Sequence, residues 1–398
     1  QQIYLGGSFE VLSFFPFDEV TEHPGLKEPN FKAPIDLRWV DVDSCERAQG
    51  AQLILYPKYP EVRLSGFLAG CKTAPSKYLQ PVPKAARKGK DGRVLVFGTT
   101  PDKITLAFLA PGTSAIASEL LEKFVTAPPD GLFLELTVPT GSNTTRAVLL
   151  ATLRQIHKAG FHWSRKLDGK GGPVPYSARN GGGYTLEALL GIKPNAGAVP
   201  DFMGWEIKAY SSDRVTLMTP EPKGGFYGER GVEAFVMKYG HDTANGTRYF
   251  TGSHKVDVMS AGSGLTLVVR GFNAVDGKVT DVNGAICLID ERGKEAASWP
   301  FSQLMVHWNK KHAFAAYVPF ISKKEPPEPD AKAEPGFGPA IKKEEKKCGT
   351  STMFGVIPTF VVIGPLAFLA ALFPAVFGGL ALMMRRWLIL LSISSLCS

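Results

Sequence analysis

Cysteine is scarce in this sequence and is never grouped. The five cysteines lie far apart and form no Cys-x-x-Cys pair: Cys45, Cys71, Cys287, Cys348 and Cys397. This spacing excludes a disulfide framework and a zinc ribbon, and it fits a reducing compartment. The chain also lacks a nucleotide-binding loop and an internal repeat. It shows no charged-then-apolar leader, so no signal peptide is visible, but the true start is left open because the sequence begins at Gln1 rather than Met.

The composition is that of a folded protein with a surplus of basic residues. Hydrophobic residues make up 44% of the chain and charged residues 21%, which argues against a largely disordered protein. A length of 398 residues allows two or three domains with cores of their own. The formal net charge of +8 favours an anionic partner without requiring one.

The sequence changes character near its C-terminal end. Residues 322–352 carry alternating charges and repeated prolines, which predicts a linker, whereas residues 353–398 are almost entirely apolar. The uncharged run 353–384 is long enough to cross a bilayer. Three interpretations stay open: a membrane anchor, a helix buried against the rest of the protein, and a C-terminus altered by a shifted reading frame or a chimeric gene model. We favour the altered C-terminus.

The first 140 residues have the pattern of a β-rich domain, whose role the sequence does not indicate. Apolar or alternating runs separated by turn residues predict strands at 51–56, 62–68, 93–97, 103–108 and 132–138. Apolar residues at helical spacing then predict a helix over residues 145–159 that ends at Gly160. This helix opens a second globular domain, expected over residues 141–321.

A short helix is predicted within residues 184–192. Thr185 is expected to cap it, and Gly191 is expected to end it. Glu187 then lies in the first turn. There it either reaches into an acidic cluster or merely complements the helix dipole.

The strand that follows carries the most informative charges of the chain. Period-two alternation places Glu206, Lys208 and Tyr210 on one face, and Asp201 lies just before the strand. Asp201 and Glu206 can share a hard divalent cation such as Mg²⁺, and Lys208 can orient a water molecule or stabilise developing charge. These are the groups that metal-assisted phosphodiester hydrolysis requires. The Asp-x4-Glu-x-Lys spacing alone is a weak signal, because solvated surface strands produce it often.

Residues 145–319 resemble the MvaI/BcnI family of restriction endonucleases, in the MutH-like branch of the PD-(D/E)xK nucleases. The resemblance is carried by GGGYTLEALLGIKPNAGAVPDFMGWEIKAY (residues 181–210), with support from FVMKYG (235–240) and LMVHWNKKHAFAAYVP (304–319). It implies an α/β fold of the restriction-endonuclease type over residues 141–321, in which helices flank a mixed central sheet. The β-rich domain would precede this core.

The resemblance also implies a function and a set of site residues. The function is that of a Mg²⁺-dependent type II restriction-like endonuclease, with one or two ions, that cuts double-stranded DNA at a short specific site. Asp201, Glu206 and Lys208 would be the catalytic trio, with Glu187 as a further carboxylate. Such an enzyme would work in the bacterial cytoplasm in defence. Whether a cognate DNA methyltransferase accompanies it, and whether the tail tethers it to a membrane, are left open. Two alternative functions are a non-cleaving DNA-binding protein and a mismatch-repair-type nickase.

Basic residues in two segments are candidates for contacts with DNA, because Lys and Arg dominate backbone contacts. They are Arg165, Lys166 and Arg179 before the short helix, and His307, Lys310, Lys311 and His312 beside Trp308. For the second group the alternative is a solvated helix face with Trp308 in the core.

Two further polar groups have ordinary explanations. His254 and Asp257 match no zinc-ligand spacing, so we interpret them as loop residues. Ser263 lacks the surroundings of a nucleophilic serine and is interpreted in the same way.

Overall fold

A computed structural model of the chain describes its residues with some gaps. The described residues are 2–7, 9–41, 44–72, 79, 92–100, 102–126, 133–134, 145–178, 180–194, 200–211, 217–244, 246–275, 278–312, 314–325, 351–356 and 361–363. The chain divides into two compact units. The first contains Gln1–Val138 and Pro220–Asn309, and the second contains Pro139–Thr219 and Lys310–Leu391.

Strands outnumber helices among the described residues, and most of them follow one another in long runs. The helices are α1 (Ala115–Thr126), α2 (Thr145–Lys158), α3 (Gly181–Leu189), α4 (Gly225–Tyr239) and α5 (Phe301–His312), and a 3-10 helix spans Phe9–Phe14. The first strands are β1 (Gln2–Gly6), β2 (Thr21–His23), β3 (Asn30–Pro34), β4 (Asp36–Asp41), β5 (Ser44–Ala48), β6 (Gln52–Tyr56), β7 (Glu61–Ser65), β8 (Val94–Thr99), β9 (Ile104–Ala110), β10 (Phe161–Trp163), β11 (Arg165–Leu167) and β12 (Pro173–Pro175). The remaining strands are β13 (Glu206–Tyr210), β14 (His241–Asp242), β15 (Arg248–Tyr249), β16 (Thr266–Arg270), β17 (Phe272–Asn273), β18 (Lys278–Val279), β19 (Ala285–Ile289), β20 (Glu295–Pro300), β21 (Ala315–Glu325), β22 (Ser351–Val356) and β23 (Val361–Ile363).

The first unit is rich in β-structure. It contains a five-stranded antiparallel sheet in the order β1-β7-β6-β3-β2, a four-stranded sheet in the order β5-β4-β9-β8, and a three-stranded sheet in the order β16-β19-β20. Strands β6, β7, β8 and β9 lie where the sequence predicts strands. Of the last predicted strand, 132–138, only residues 133 and 134 are among the described residues. Helix α1 was not predicted. Its N-terminal signal is Ser114, whose Oγ accepts a hydrogen bond from the Ala117 N–H at 3.1 Å.

The second unit is built on a mixed sheet. The strand order is β10-β22-β21-β13; β13 and β21 run parallel, and the other neighbours run antiparallel. Buried residues of α2, of α3 and the segment after it, and of the sheet and the turn before β13 form one apolar cluster: Leu149, Leu153, Ile156, Leu186, Leu190, Ile192, Trp205, Ile207, Ala316 and Val318. The mixed sheet with flanking helices agrees with the fold expected from the sequence at this level of detail.

Helix α3 begins earlier than the sequence predicts. It starts at Gly181, with Asn180 at the N-cap position, and Thr185 lies inside it, where its Oγ donates to the Gly181 carbonyl oxygen at 2.7 Å. The prediction that Thr185 caps the helix is therefore wrong. Residues 181–183 are all glycines, so local propensity favours a loop there. In the structure they are helical, and Gly182 packs so closely against the Phe320 ring that a Cβ atom at this position would overlap the ring.

This correction also moves Glu187 away from the helix start. No acidic residue lies in the first turn of α3, so the interpretation of Glu187 as a dipole partner is wrong. The predicted end of the helix is confirmed. Gly191 adopts a φ of +75°, and the Ile192 N–H donates to the Glu187 carbonyl oxygen at 2.8 Å.

The C-terminal residues are only partly described. Strand β21 continues to Glu325, β22 pairs with β21 and β10, and β23 pairs with β21. Residues 326–350, 357–360 and 364–398, which include most of the expected linker and apolar tail, lie outside the described residues. In the part of the chain that the structure describes, no helix has both the length and the apolarity needed to cross a bilayer.

Two neighbouring glycines of α3 provide a matched test of its packing. We predict that Gly182→Val destabilises the protein by about 2–3 kcal/mol, because the new side chain would overlap the Phe320 ring. Gly183→Ala is the control. Its Cβ would meet no atom within 4 Å, so it should stabilise the helix by about 0.5–1 kcal/mol. Urea denaturation measures both changes, and equal effects at the two positions would contradict the packing described here.

Candidate functional site

A tight turn brings Asp201 back toward strand β13. The Phe202 N–H donates to the Trp205 carbonyl oxygen at 2.9 Å, and the Trp205 N–H donates to the Phe202 carbonyl oxygen at 2.8 Å. Between them, Met203 and Gly204 have φ values of 50° and 89°, the sign pattern of a type I′ turn. The chain therefore reverses within two residues and enters β13 directly.

Asp201 is joined to this strand by a hydrogen bond to its backbone. The Ile207 N–H donates to Asp201 Oδ2 at 3.0 Å, whereas the N–H of the preceding residue, Glu206, donates to the Phe314 carbonyl oxygen at 2.9 Å. Successive N–H groups of a strand point to opposite edges, so Asp201 lies at the edge of β13 that faces away from β21. Its carboxylate is thus held beside the segment that carries Glu206 and Lys208.

Glu206 and Lys208 form an ion pair on one face of β13. Lys208 Nζ lies 2.6 Å from Glu206 Oε1, and the side chains are 25% and 1% exposed respectively. Trp205 and Ile207 belong to the apolar cluster of the second unit, so the charged and apolar faces alternate as the sequence pattern predicts. The ammonium group of Lys208 reaches partly exposed space, while its partner stays buried.

Tyr317 is a buried neighbour of this ion pair that the sequence did not indicate. It lies opposite Lys208 in the parallel pairing of β13 and β21, and it is 4% exposed. Burial and, to a lesser extent, the negative charge of Glu206 raise the pKa of its phenol well above the usual value. No local pattern could reveal this neighbour, because about a hundred residues separate the two strands.

Glu187 and Asp201 line the same cleft. Its volume is about 270 Å³, and its walls are formed by Asn180, Gly183, Tyr184, Glu187, Ile192, Lys193, Pro194 and Asp201. Helix α3 contributes Glu187, and the segment before the turn contributes Asp201. Two of the four predicted site residues therefore share one cavity. The other two lie on the strand to which Asp201 is bonded.

The carboxylate oxygens of Glu187 and Asp201 are ligands of the type that hard divalent cations such as Mg²⁺ prefer. Among the described residues, no three His, Cys, Asp or Glu side chains gather closely enough to form a metal site on their own. Mg²⁺ does not need such a set, since it is usually held by one or two carboxylates together with water and substrate phosphate. Asp201 and Glu187, which line one cleft, satisfy that requirement.

Comparison with known proteins assigns the region that contains this site. The family model described as "MvaI/BcnI restriction endonuclease family" aligns with residues 150–330, slightly less than half of the chain. Residues 150–330 match the MvaI/BcnI restriction endonuclease family. The resemblance found in the sequence is thereby confirmed. Glu187, Asp201, Glu206 and Lys208 all lie inside the matched residues.

Two solved structures of the MvaI restriction endonuclease are also similar to this chain. In the complex of MvaI with its cognate DNA substrate, the MvaI chain is 15% identical to this chain. The alignment covers 54% of this chain and 74% of the MvaI chain, with a TM-score of 0.38. MvaI in the absence of DNA is 12% identical to this chain, and the alignment covers 55% of this chain and 73% of the MvaI chain, with a TM-score of 0.23. No curated protein matches this chain in sequence.

The first group of predicted DNA contacts lies beside α3, inside the MvaI/BcnI-matched region. The Arg165 N–H donates to Thr185 Oγ at 3.1 Å, which joins β11 to the helix. Lys166 Nζ lies 4.9 Å from the centre of the Tyr176 ring, and the Tyr176 hydroxyl donates to Asn180 Oδ1 at 2.9 Å. Arg179 lies outside the described residues.

The second group lies on α5. Trp308 is 4% exposed, as the core interpretation of this helix requires, while His307 and Lys310 are half-buried. The side chains of Lys311 and His312 lie outside the description. The two sequence interpretations are thus compatible, since a buried Trp308 leaves neighbouring polar residues at the surface.

A buried histidine in the first unit forms an unexpected hydrogen bond. His254 is 8% exposed, and its Nε2 lies 2.7 Å from Ser263 Oγ; its ring stacks on Phe250 with 5.7 Å between ring centres. Burial lowers the pKa of His254. Because Ser263 also accepts a hydrogen bond from the Leu265 N–H at 3.3 Å, the pair fixes the loop between them.

The ion pair on β13 predicts a specific pattern of stabilities. Lys208→Met leaves Glu206 as a buried charge without its lysine, so we expect a loss of about 2–4 kcal/mol. The double variant Glu206→Gln/Lys208→Met should recover about half of that loss or more. Exposed Lys158→Met is the control, expected within about 0.5 kcal/mol of wild type. Urea denaturation measures the free energy of unfolding of each variant. A double variant no more stable than Lys208→Met would contradict the proposed interaction between Glu206 and Lys208.

His254 predicts a pH dependence of stability. The pKa of His254 is lowered in the folded protein, so the unfolded chain binds a proton more readily than the folded one. The contribution of neutral His254 to folding stability is therefore fully present above its unfolded pKa of about 6.5. The free energy of unfolding should therefore fall as pH decreases through 6.5 in wild type, and less so in His254→Gln. Exposed His241→Gln should keep the wild-type profile. Identical profiles for wild type and His254→Gln would show that this histidine does not contribute.

Proposed function

We propose that this protein is a Mg²⁺-dependent endonuclease that hydrolyses phosphodiester bonds of double-stranded DNA at a short specific site, in the manner of type II restriction enzymes. The observation that carries the proposal is the hydrogen bond from the Ile207 N–H to Asp201, which holds a carboxylate at the edge of the strand that carries the Glu206–Lys208 ion pair. The family match of residues 150–330 supports the same reaction class. We assign the fold to the PD-(D/E)xK nucleases of the MutH-like branch.

Three carboxylates have distinct positions in this proposal. Asp201 and Glu187 line the cleft and would hold the cation, and Glu206 would join them from the strand. When bound, Mg²⁺ supplies charge neutralisation at the phosphate and a more acidic water molecule. Asp201 is kept in place by the Ile207 N–H, so its carboxylate is oriented before any ligand arrives.

Lys208 acts on the developing negative charge. Its side chain is a quarter exposed and is held by an ion pair with Glu206, whose side chain is 1% exposed. A fixed cation there can orient the attacking water and stabilise charge as the phosphate bond breaks. The buried Glu206 therefore has a second role, to position Lys208.

DNA is the proposed substrate, and Arg165 and Lys166 are the proposed contacts to its backbone. Both are half-buried residues of β11, a strand that packs against helix α3, which carries Glu187. Backbone contacts of this kind fix the register of a duplex without reading its sequence. Action on DNA in defence implies the cytoplasm as the proposed location.

Incubation with supercoiled plasmid tests the proposal. Wild type should convert the plasmid to linear product when Mg²⁺ is present and should leave it intact with EDTA. Lys208→Ala and Asp201→Asn should each slow cleavage by at least about 100-fold, and Lys158→Ala should cleave like wild type. Product ends that can be religated without a kinase would show the 5′-phosphates expected of this reaction.

The same gel separates the alternatives. Accumulation of the open-circular form without linear product would indicate a nickase instead. Retention of DNA on a filter without cleavage under any divalent cation would contradict the endonuclease proposal and leave a DNA-binding protein. Cleavage by Lys208→Ala at the wild-type rate would place the active site elsewhere.

A further inference from the structure

We propose that Lys193 is a phosphate-contacting residue of the cleft that contains Glu187 and Asp201. The inference rests on the proposed endonuclease function and adds to it a substrate-binding residue that neither the Asp-x4-Glu-x-Lys motif nor the predicted basic groups include. Lys193 lines this cleft together with the two carboxylates and with the polar side chains of Asn180 and Tyr184.

The backbone of Lys193 is fixed to the helix that carries Glu187. The Ile192 N–H donates to the Glu187 carbonyl oxygen at 2.8 Å, and Gly191 provides the positive φ that this helix end requires. The Ile192 side chain, 8% exposed, belongs to the apolar cluster. Pro194 follows and restricts Lys193 to an extended conformation. The position of Lys193 relative to Glu187 is therefore set by the fold.

The side chain of Lys193 runs along a backbone segment that leaves room for it. Gly171 lies in the turn of the β11–β12 hairpin, with a φ of +92°, and a Cβ atom there would lie 3.0 Å from Lys193 Cε and 3.5 Å from Nζ. A side chain at 171 would crowd the end of the lysine, which would then have to shift by a few tenths of an ångström. Contact with this turn limits where the end of the side chain can lie, and Lys193 also lines the cleft.

A positively charged side chain in the cleft would balance the charge of a bound phosphate. The carboxylates of Asp201 and Glu187 offset the charge of one divalent cation but also repel a phosphate monoanion. A lysine that lines the same cleft can supply the counter-charge, and a lysine is a common point contact for phosphate. Asn180 and Tyr184 add polar groups that can donate to phosphate oxygens. We therefore assign Lys193 to substrate binding rather than to the chemical step.

The salt dependence of DNA binding tests this assignment. We would measure retention of a labelled plasmid fragment by the full chain, in Ca²⁺ and in EDTA, over 50 to 200 mM salt. Lys193→Met should weaken binding several-fold and reduce the slope of log K against log salt by about 0.9, the value for one lost phosphate contact. Lys193→Arg should retain the slope. Lys158→Met, an exposed lysine away from the cleft, is the matched control and should behave like wild type.

Cleavage kinetics provide the second measurement. Lys193→Met should raise KM more than it lowers kcat, because the contact is made with the bound substrate as well as in the transition state. Lys193 is exposed, so the variant should unfold at the wild-type urea concentration. An unchanged salt slope in Lys193→Met would overturn the inference even if wild type cuts DNA. A reduced slope in a protein that never cuts would uphold the phosphate contact while the proposed function fails.

Discussion

The hydrogen bond between the Ile207 N–H and Asp201 Oδ2 is the interaction on which the site depends. Strand β13 turns this N–H away from its partner β21, toward an edge that Asp201 then occupies. Burial of an unsatisfied backbone N–H is costly, so the strand and the carboxylate stabilise each other's positions. The turn at Met203 and Gly204 makes the contact possible, because it reverses the chain without a longer loop. Sequence order and sheet geometry together thus bring Asp201 to the edge of the strand that carries Glu206 and Lys208.

Those parts of the fold that depend on local pattern could be predicted. Three such features can be recognised within a few residues of sequence: the alternating charges of β13, the apolar spacing of α2 and the glycine that ends α3. The long block at residues 181–210 was also sufficient to recognise the MvaI/BcnI family, which the match over residues 150–330 confirms. The roles assigned to Asp201, Glu206, Lys208 and Glu187 remain predictions, now with a geometry attached to each.

Features that depend on distant contacts could not be predicted. Helix α3 extends through three glycines because Gly182 packs against Phe320, a residue of β21, and propensity alone contains no sign of that partner. Tyr317 reaches the ion pair only through the parallel pairing of β13 with β21. Lys193 belongs to the cleft because a helix cap and a hairpin turn fix it there. In the first two cases the deciding neighbour lies on another element far along the chain, whereas for Lys193 the helix end is local and only the Gly171 turn is distant in sequence.

The most direct test of the account is to locate the bound cation. Crystals of the protein with duplex DNA and Mn²⁺ in place of Mg²⁺ should show anomalous density at the carboxylate of Asp201, in the cleft shared with Glu187, and Asp201→Asn crystals should lose it. Density at another place in the chain, or equal density in wild type and Asp201→Asn, would contradict the claim that these carboxylates form the catalytic centre.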